Sequence, residues 1–132
     1  MKWMLDTDTC IAIIKGDPGR ALKKLREKAI GQVGVSSISL SELYFGAAKS
    51  IRAADARSAL NEFMLALELL PFDAAAALQY GDARATLSRR GTPIGPLDTL
   101  VAAQAQSLDV ILVTHNVKEF SRVPGLRVED WL

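Results

Sequence analysis

The stretch Lys2-Trp3-Met4-Leu5-Asp6-Thr7-Asp8-Thr9 opens on a short apolar run and stops on a cluster of acids and hydroxyls. It reads as a buried strand, Lys2 to Leu5, running into a helix start, because Asp and Thr are favoured N-cap residues. The helix, Thr9 to Lys15, ends at Gly16-Asp17-Pro18-Gly19. The same alternation recurs outward along the chain. Arg20 to Ala29 forms a second helix, Gly31 breaks it, and Val33 to Ser36 is a second strand. Ser39 begins a third helix, with Leu40, Leu43, Tyr44 and Ala47 at helical spacing. Arg52 to Leu67 is a long helix, and Glu68 to Phe72 is a short edge strand. Asp73 caps Ala74 to Arg90, which Gly91 stops. Pro96, suited to the first turn of a helix, opens another that carries Leu97, Leu100, Val101, Gln104 and Leu108 on one side. Val110 to Val113 is the clearest buried strand, and Arg127-Val128 adds a last short one. Short apolar strands alternating with amphipathic helices predict an α/β fold, a central mostly parallel sheet of four to five strands flanked by helices. Ligands of such sheets bind outside the carboxyl ends of the strands.

The composition bounds what such a fold can do. A chain of 132 residues fits one domain, 1–132, and buries about two-thirds of its unfolded surface. Apolar residues make up 49% and charged residues 23%, close to globular averages, so disordered and low-complexity classes are excluded. Sixteen basic against fifteen acidic side chains give +1, so a nucleic-acid site must be a local patch. The single Cys10 and the single His115 exclude a disulfide framework, a Cys-rich zinc site and a His-based metal site. No apolar run reaches about 18 residues and no signal peptide is evident, so the expected location is cytoplasmic.

The acids fall at informative places. Asp6 sits just past the first strand. Glu42 lies in the first turn of the helix after the second strand, and Asp98 in the first turn of the helix opened by Pro96. Asn116 follows the strand Val110 to Val113. Each has a structural reading of its own. Ser39-x-x-Glu42 is a capping box, Asp98 complements a helix dipole, Asp6 can cap the first helix, and Asn116 suits a turn. Jointly, three converging carboxylates repel, by roughly 4 kcal/mol for a pair 4 Å apart at an effective dielectric near 20. Protons or cations must neutralise such a cluster, and an oxygen-only ligand set suits Mg²⁺ or Mn²⁺. Such ions act on phosphate groups.

Four stretches then carry a family resemblance: Met4-Leu5-Asp6-Thr7; Ser36-Ser37 with Ser41-Glu42-Leu43-Tyr44-Phe45-Gly46-Ala47; Ile94-Gly95-Pro96-Leu97-Asp98-Thr99-Leu100-Val101-Ala102-Ala103; and Leu112-Val113-Thr114-His115-Asn116-Val117-Lys118-Glu119-Phe120 with Val123-Pro124-Gly125-Leu126 and Glu129-Asp130-Trp131. In this order the chain resembles PIN-domain ribonucleases, specifically the VapC toxins of bacterial toxin–antitoxin pairs. The resemblance implies Mg²⁺- or Mn²⁺-dependent hydrolysis of RNA phosphodiester bonds that inhibits translation. It casts Asp6, Glu42 and Asp98 as metal-site acids, with Asn116 in the fourth site. Two positions depart from the family's pattern. Asp8 stands where members usually have Asn, and Asn116 where many have Asp. Thr7 and Thr114 are candidate water- or phosphate-positioning groups, or else bond to backbone at the strand ends.

Basic groups available to RNA are the Lys23-Lys24-Arg26-Lys28 face, Arg84, Arg89-Arg90, Lys118 and Arg122. Arg84 resembles a recurrent family position, able to contact phosphate or to pair with an acid. Aromatics, at 6%, are too few for a stacking platform, which fits a folded RNA read by shape, tRNA being the family's example. The resemblance also implies homodimers and a VapB-type antitoxin whose C-terminal segment fills a groove. Ile11, Ile14, Leu43, Tyr44, Phe45 and Leu60 are the candidate lining. Two rivals remain. One is a PIN-like binding module without catalysis, which binds a partner but cuts no RNA. The other is a phosphatase of the HAD type, suggested by Asp6-Thr7-Asp8-Thr9 but lacking room after Thr114 for that family's later motifs.

Overall fold

A computed structural model describes residues 1–16 and 19–132. Five short strands form one wholly parallel sheet: β1 (Trp3–Leu5), β2 (Val33–Ser36), β3 (Glu68–Leu70), β4 (Ile111–Val113) and β5 (Val128–Glu129). Their spatial order is β3-β2-β1-β4-β5. The chain winds outward from β1 through β2 to β3, then returns to the far side of β1 for β4 and β5. The two directions part between β1 and β4, so the crevice for a ligand opens there, at the carboxyl edge.

The helices are α1 (Thr7–Lys15), α2 (Gly19–Arg26), α3 (Ser37–Ala48), α4 (Ala53–Met64), α5 (Ala74–Arg89), α6 (Pro96–Ser107) and the short α7 (Val117–Phe120). The twofold alternation of strand side chains divides the core. Leu5, Val33, Val35 and Val113 face one layer with Cys10, Ile13, Leu43, Leu60 and Trp131. Met4 and Leu112 face the other, with Leu87, Val101, Ala102, Ala105 and Phe120. Gln104, buried in α6, stitches the layers. Its amide accepts from Ser36 and donates to the carbonyls of Leu70 and Pro71 at 2.9 and 3.1 Å. Lys28, read from the sequence as part of a charged face, lays its ammonium over the rings of Trp3 and Trp131, at 4.3 and 5.4 Å from their centroids.

Several boundaries differ from the sequence reading, each for a local reason. The first helix begins at Thr7 rather than Thr9, with Asp6 in the N-cap position but its side chain not capping. It closes on Gly16, whose φ of 70° is the left-handed conformation that glycine adopts freely. The rest of the expected stop, Asp17-Pro18, lies outside the described residues. The second helix ends at Arg26, short of Ala29. The third starts at Ser37, because Ser36 rather than Ser39 is the cap, accepting from the Ile38 N–H at 3.0 Å. The fourth spans Ala53–Met64, not Arg52 to Leu67. Asp73 caps α5 as expected, accepting from the Ala76 N–H at 3.0 Å. The short α7 was not anticipated; a single turn carries too little periodicity to be read, and buried Phe120 anchors it.

Gly34, between Met4 and Glu68 in the sheet, marks a close approach. A Cβ there would stand 2.7 Å from Leu70 Cδ1 and 2.9 Å from the Glu68 carbonyl oxygen and from Met1 Sδ. The carbonyl belongs to the neighbouring strand and cannot step aside. Gly34→Ala is expected to lower stability by about 1–3 kcal/mol, read as a lower urea midpoint with unchanged slope.

Candidate active site

Strand register sets the centre of the site. Leu5 lies opposite Val113, so Asp6 and Thr114 leave the sheet side by side. The Asp6 N–H donates to the Val113 carbonyl at 2.8 Å, and the Thr114 hydroxyl donates to Asp6 Oδ2 at 2.9 Å. Both residues are buried, Asp6 with 6% of its surface exposed. On the neighbouring side, the Thr7 hydroxyl donates to Glu42 Oε1 at 3.0 Å, fastening α3 to the start of α1. Both threonines, expected to position water or phosphate or to bond backbone, thus hold carboxylates.

Glu42 needs a correction. With α3 starting at Ser37, Glu42 lies in its second turn and Ser39-x-x-Glu42 is not a capping box. Ser39 is fully buried, and its hydroxyl has no hydrogen-bond partner. The structural role that competed for Glu42 therefore disappears, and its carboxylate meets Thr7 at the sheet edge instead. Asp98 stands where the sequence placed it, in the first turn of α6 behind Pro96. Asp8 borders the centre, receiving the Thr114 hydroxyl at 3.5 Å and the His115 N–H at 3.3 Å.

Glu119 joins the cluster and was missed. Its Oε1 accepts from the Gly95 N–H at 3.0 Å and its Oε2 accepts from the Asn116 amide, and its charge acts on Asp98. Gly95 leaves room for this meeting: a Cβ there would be 3.3 Å from Asp98 Oδ2. Asn116 thus engages the cluster through its NH₂ group, while its backbone N–H donates to the Thr114 hydroxyl oxygen at 3.1 Å. The one available signal was the three-residue spacing from Asn116 to Glu119, which puts both on one face of a helical turn.

The electrostatics show that these acids sense one another. Burial raises the Asp6 carboxyl to about 6, helped by the charges of Asp8 and then Glu42, against the Thr7 N–H and the Thr114 hydroxyl. Burial likewise raises Asp98 to about 7, with Glu119, Asp6 and Glu42 adding. Glu119 is held below the usual range, first by the Gly95 N–H. Among the described residues the ion pairs are His115 with Asp130 and Arg127 with Asp109, so no basic side chain bridges to this cluster. No three acids among the described residues stand close enough to enclose an ion by themselves. That spacing still fits a cation met by one or two carboxylates and several waters, the usual state of Mg²⁺. Asp6, Glu42 and Asp98 offer only carboxylate oxygens and have no salt-bridge partner among the described residues, which fits a hard divalent cation.

Two other features border this edge. Ile11, Ile14, Leu43 and Leu60 line an apolar groove of about 390 Å³ between α1, α3 and α4, with Glu42 at its rim. Tyr44 and Phe45, expected in that lining, are outside it. Tyr44 donates to Asn61 at 3.0 Å, and Phe45 is 67% exposed beneath the Lys49 ammonium. Arg84 is exposed on α5 and donates to the Tyr80 hydroxyl at 2.8 Å, with no acid paired to it.

Residues 3–126 match the family described as PIN domain. The tRNA(fMet)-specific endonuclease VapC of Salmonella typhimurium is 41% identical over 131 residues, 99% of this chain and 98% of the relative. Ribonuclease VapC2 of Haemophilus influenzae is 39% identical over 132 residues, 100% and 99% of the two chains. Among solved structures, a chain of DNA-bound VapBC from Salmonella typhimurium superposes with a TM-score of 0.95 at 41% identity, covering 100% of this chain and 99% of that one. VapBC2 from Rickettsia felis, bound to a fragment of its promoter, gives 0.94 at 36%, covering 100% of both.

Proposed function

The chain belongs to the PIN-domain family, its relatives along the whole length being VapC ribonucleases, and from that premise we propose that it is a toxin endoribonuclease whose chemistry is carried by Asp6, Glu42 and Asp98. The observation that carries the reading is the placement of these three carboxylates, Asp6 tied to Thr114 past β1, Glu42 tied to Thr7 and Asp98 in the first turn of α6, with no salt bridge to any of them among the described residues. Nucleases of this family depend in general on divalent metal. We assign Asp6, Glu42 and Asp98 as the acids that would surround Mg²⁺ or Mn²⁺, one or two of them meeting the ion directly and the rest through its waters. Such a cation, when bound, polarises the phosphodiester and eases deprotonation of the attacking water.

The remaining work falls to the chain itself. Thr114 and Thr7 fix the orientation of Asp6 and Glu42 by donating to one oxygen of each. Glu119 holds the Gly95 turn that precedes Asp98, with Asn116 aligning Glu119. Water adds to phosphorus, the bond from phosphorus to the leaving ribose oxygen breaks, and a proton passes from the water to that oxygen. No side chain forms a bond to phosphorus.

A relative's name specifies initiator tRNA, and the solved relatives are toxin–antitoxin complexes. Both features transfer as proposals: a structured RNA, tRNA foremost, as substrate, and a VapB-type protein as partner. The apolar groove ending at Glu42 suits a partner segment that silences the site by lying beside it. No helix among the described residues is long and apolar enough to cross a membrane.

The decisive assay incubates purified protein with initiator tRNA and with unrelated folded RNAs, in Mg²⁺, in Mn²⁺ and in EDTA. Cleavage at discrete positions, abolished by EDTA, is expected. Tight RNA or partner binding with no cleavage in either metal favours a PIN-like module without catalysis.

A further inference from the structure

Arg84 has no role in the site as described, yet it stands at the mouth of a second cleft. This cleft, of about 230 Å³, lies between the C-terminal half of α5 and the loop leading into α6. Buried Leu87 forms its floor, Pro93 and Pro96 one wall, and Arg84 with Ser88 the opposite rim. Thr99, the residue after Asp98, closes the end nearest the acids, so the cleft and the acid cluster share the first turn of α6. The loop wall carries a second cation, because the Arg122 guanidinium donates to the Pro93 carbonyl at 3.1 Å.

The chemistry of this cleft is specific. The Tyr80 hydroxyl takes one N–H of Arg84 and steadies it, while the rest of the guanidinium's donors stay available. Arg84 forms no ion pair among the described residues. A volume below the roughly 300–1,000 Å³ of drug-sized pockets suits a single planar ring. An arginine beside a small apolar slot matches one nucleotide, its phosphate on the guanidinium and its base in the slot. Bases are available in this way only where RNA is unpaired, since duplex edges stay inside the helix.

We propose that this cleft is a nucleotide subsite for the RNA, taking one unpaired base beside the scissile phosphate while Arg84 binds a neighbouring phosphate and Tyr80 positions Arg84. The proposal rests on the ribonuclease reading and deepens it, because it names where the strand lies relative to Asp98. Its test uses initiator tRNA and a single-stranded RNA oligonucleotide with the wild-type chain, Arg84→Gln, Arg84→Lys and Ser88→Phe. Circular dichroism melts confirm that each variant folds, as expected for exposed positions.

Arg84→Gln is expected to raise KM about tenfold, the loss of one charge-assisted phosphate contact, with the change in KM and not in kcat. The slope of log affinity against log salt should also fall by about one. Arg84→Lys should restore the salt slope, since the positive charge returns, and recover only part of KM. Ser88→Phe, which fills the slot without touching charge, should raise KM with the salt slope unchanged. Wild-type KM in both Arg84→Gln and Ser88→Phe overturns the subsite while leaving the ribonuclease reading intact. A fall in kcat alone also overturns it. A wild-type chain that cuts no RNA in Mg²⁺ or Mn²⁺ removes the ribonuclease reading, and the subsite with it.

Discussion

In Asp6→Asn, RNA cleavage falls by about a thousandfold or more, while the folded chain in EDTA at pH 8 becomes no less stable than the wild type. The first half follows from the position of Asp6. It is the most buried acid of the cluster, it sits at the point where the two winding directions of the sheet part, and its orientation is fixed by Thr114. The amide keeps the shape and can still accept from Thr114, but it brings no charge to a cation. The second half follows from burial. A carboxyl raised to about 6 is costly to ionise where it sits, by up to about 3 kcal/mol relative to the unfolded chain, so an uncharged replacement relieves the folded state at pH 8. Single-turnover cleavage of initiator tRNA and urea melts in EDTA measure the two halves. Wild-type cleavage by Asp6→Asn removes residue 6 from the chemistry. A large loss of stability instead makes Asp6 a structural acid.

The contrast between Glu42 and Glu119 explains what the sequence could show. Strands and helices were legible because their signals are local: the unbroken run before Thr114, Pro96 at a helix start, Asp73 as a cap. The positions of Asp6, Asp98 and Asn116 followed from those elements, since strand ends and helix starts gather at one edge of a parallel sheet. Glu42 reaches the same edge, beside Thr7, although the capping role read for it locally is absent. Ser36 competed with Ser39 for the cap, and the choice depends on where the strand stops, which tertiary packing sets. Glu119 escaped because its partners, the Gly95 N–H and Asp98, lie more than 20 residues away in sequence. No periodicity within a four-residue helix reports such a contact. Asp8 was seen as a departure at the border of the site, and the structure gives it the His115 N–H. Arg84 stands out in the sequence for its charge and its family-like position, and only the fold reveals the cleft beside it.

Without divalent cation, the chain should lose stability as pH rises from about 5 to 8, opposite to the usual behaviour of native carboxylates. Asp6 and Asp98 have folded-state values near 6 and 7, raised above those of the unfolded chain. The folded state therefore holds protons that the unfolded state has already released. Stability from that difference is fully present below about pH 4 and vanishes as pH climbs through 6 and 7. Glu119 is held low and acts the opposite way at more acid pH, so the maximum should fall near pH 5. Asp98 is only partly buried, and solvent screening reduces its share, so Asp6 supplies most of the slope. Cation binding inverts the trend. A divalent ion replaces the protons, so its affinity rises with pH through the same window. At a concentration one hundred times its dissociation constant it adds about 2.7 kcal/mol. Urea midpoints at pH 5 and 8, in EDTA and in saturating Mg²⁺ or Mn²⁺, read out both effects, and Asp6→Asn should flatten both. Equal midpoints at the two pH values, unmoved by either metal, would mean that Asp6 and Asp98 carry no uncompensated charge, and the cation site at this edge of the sheet would have to be abandoned.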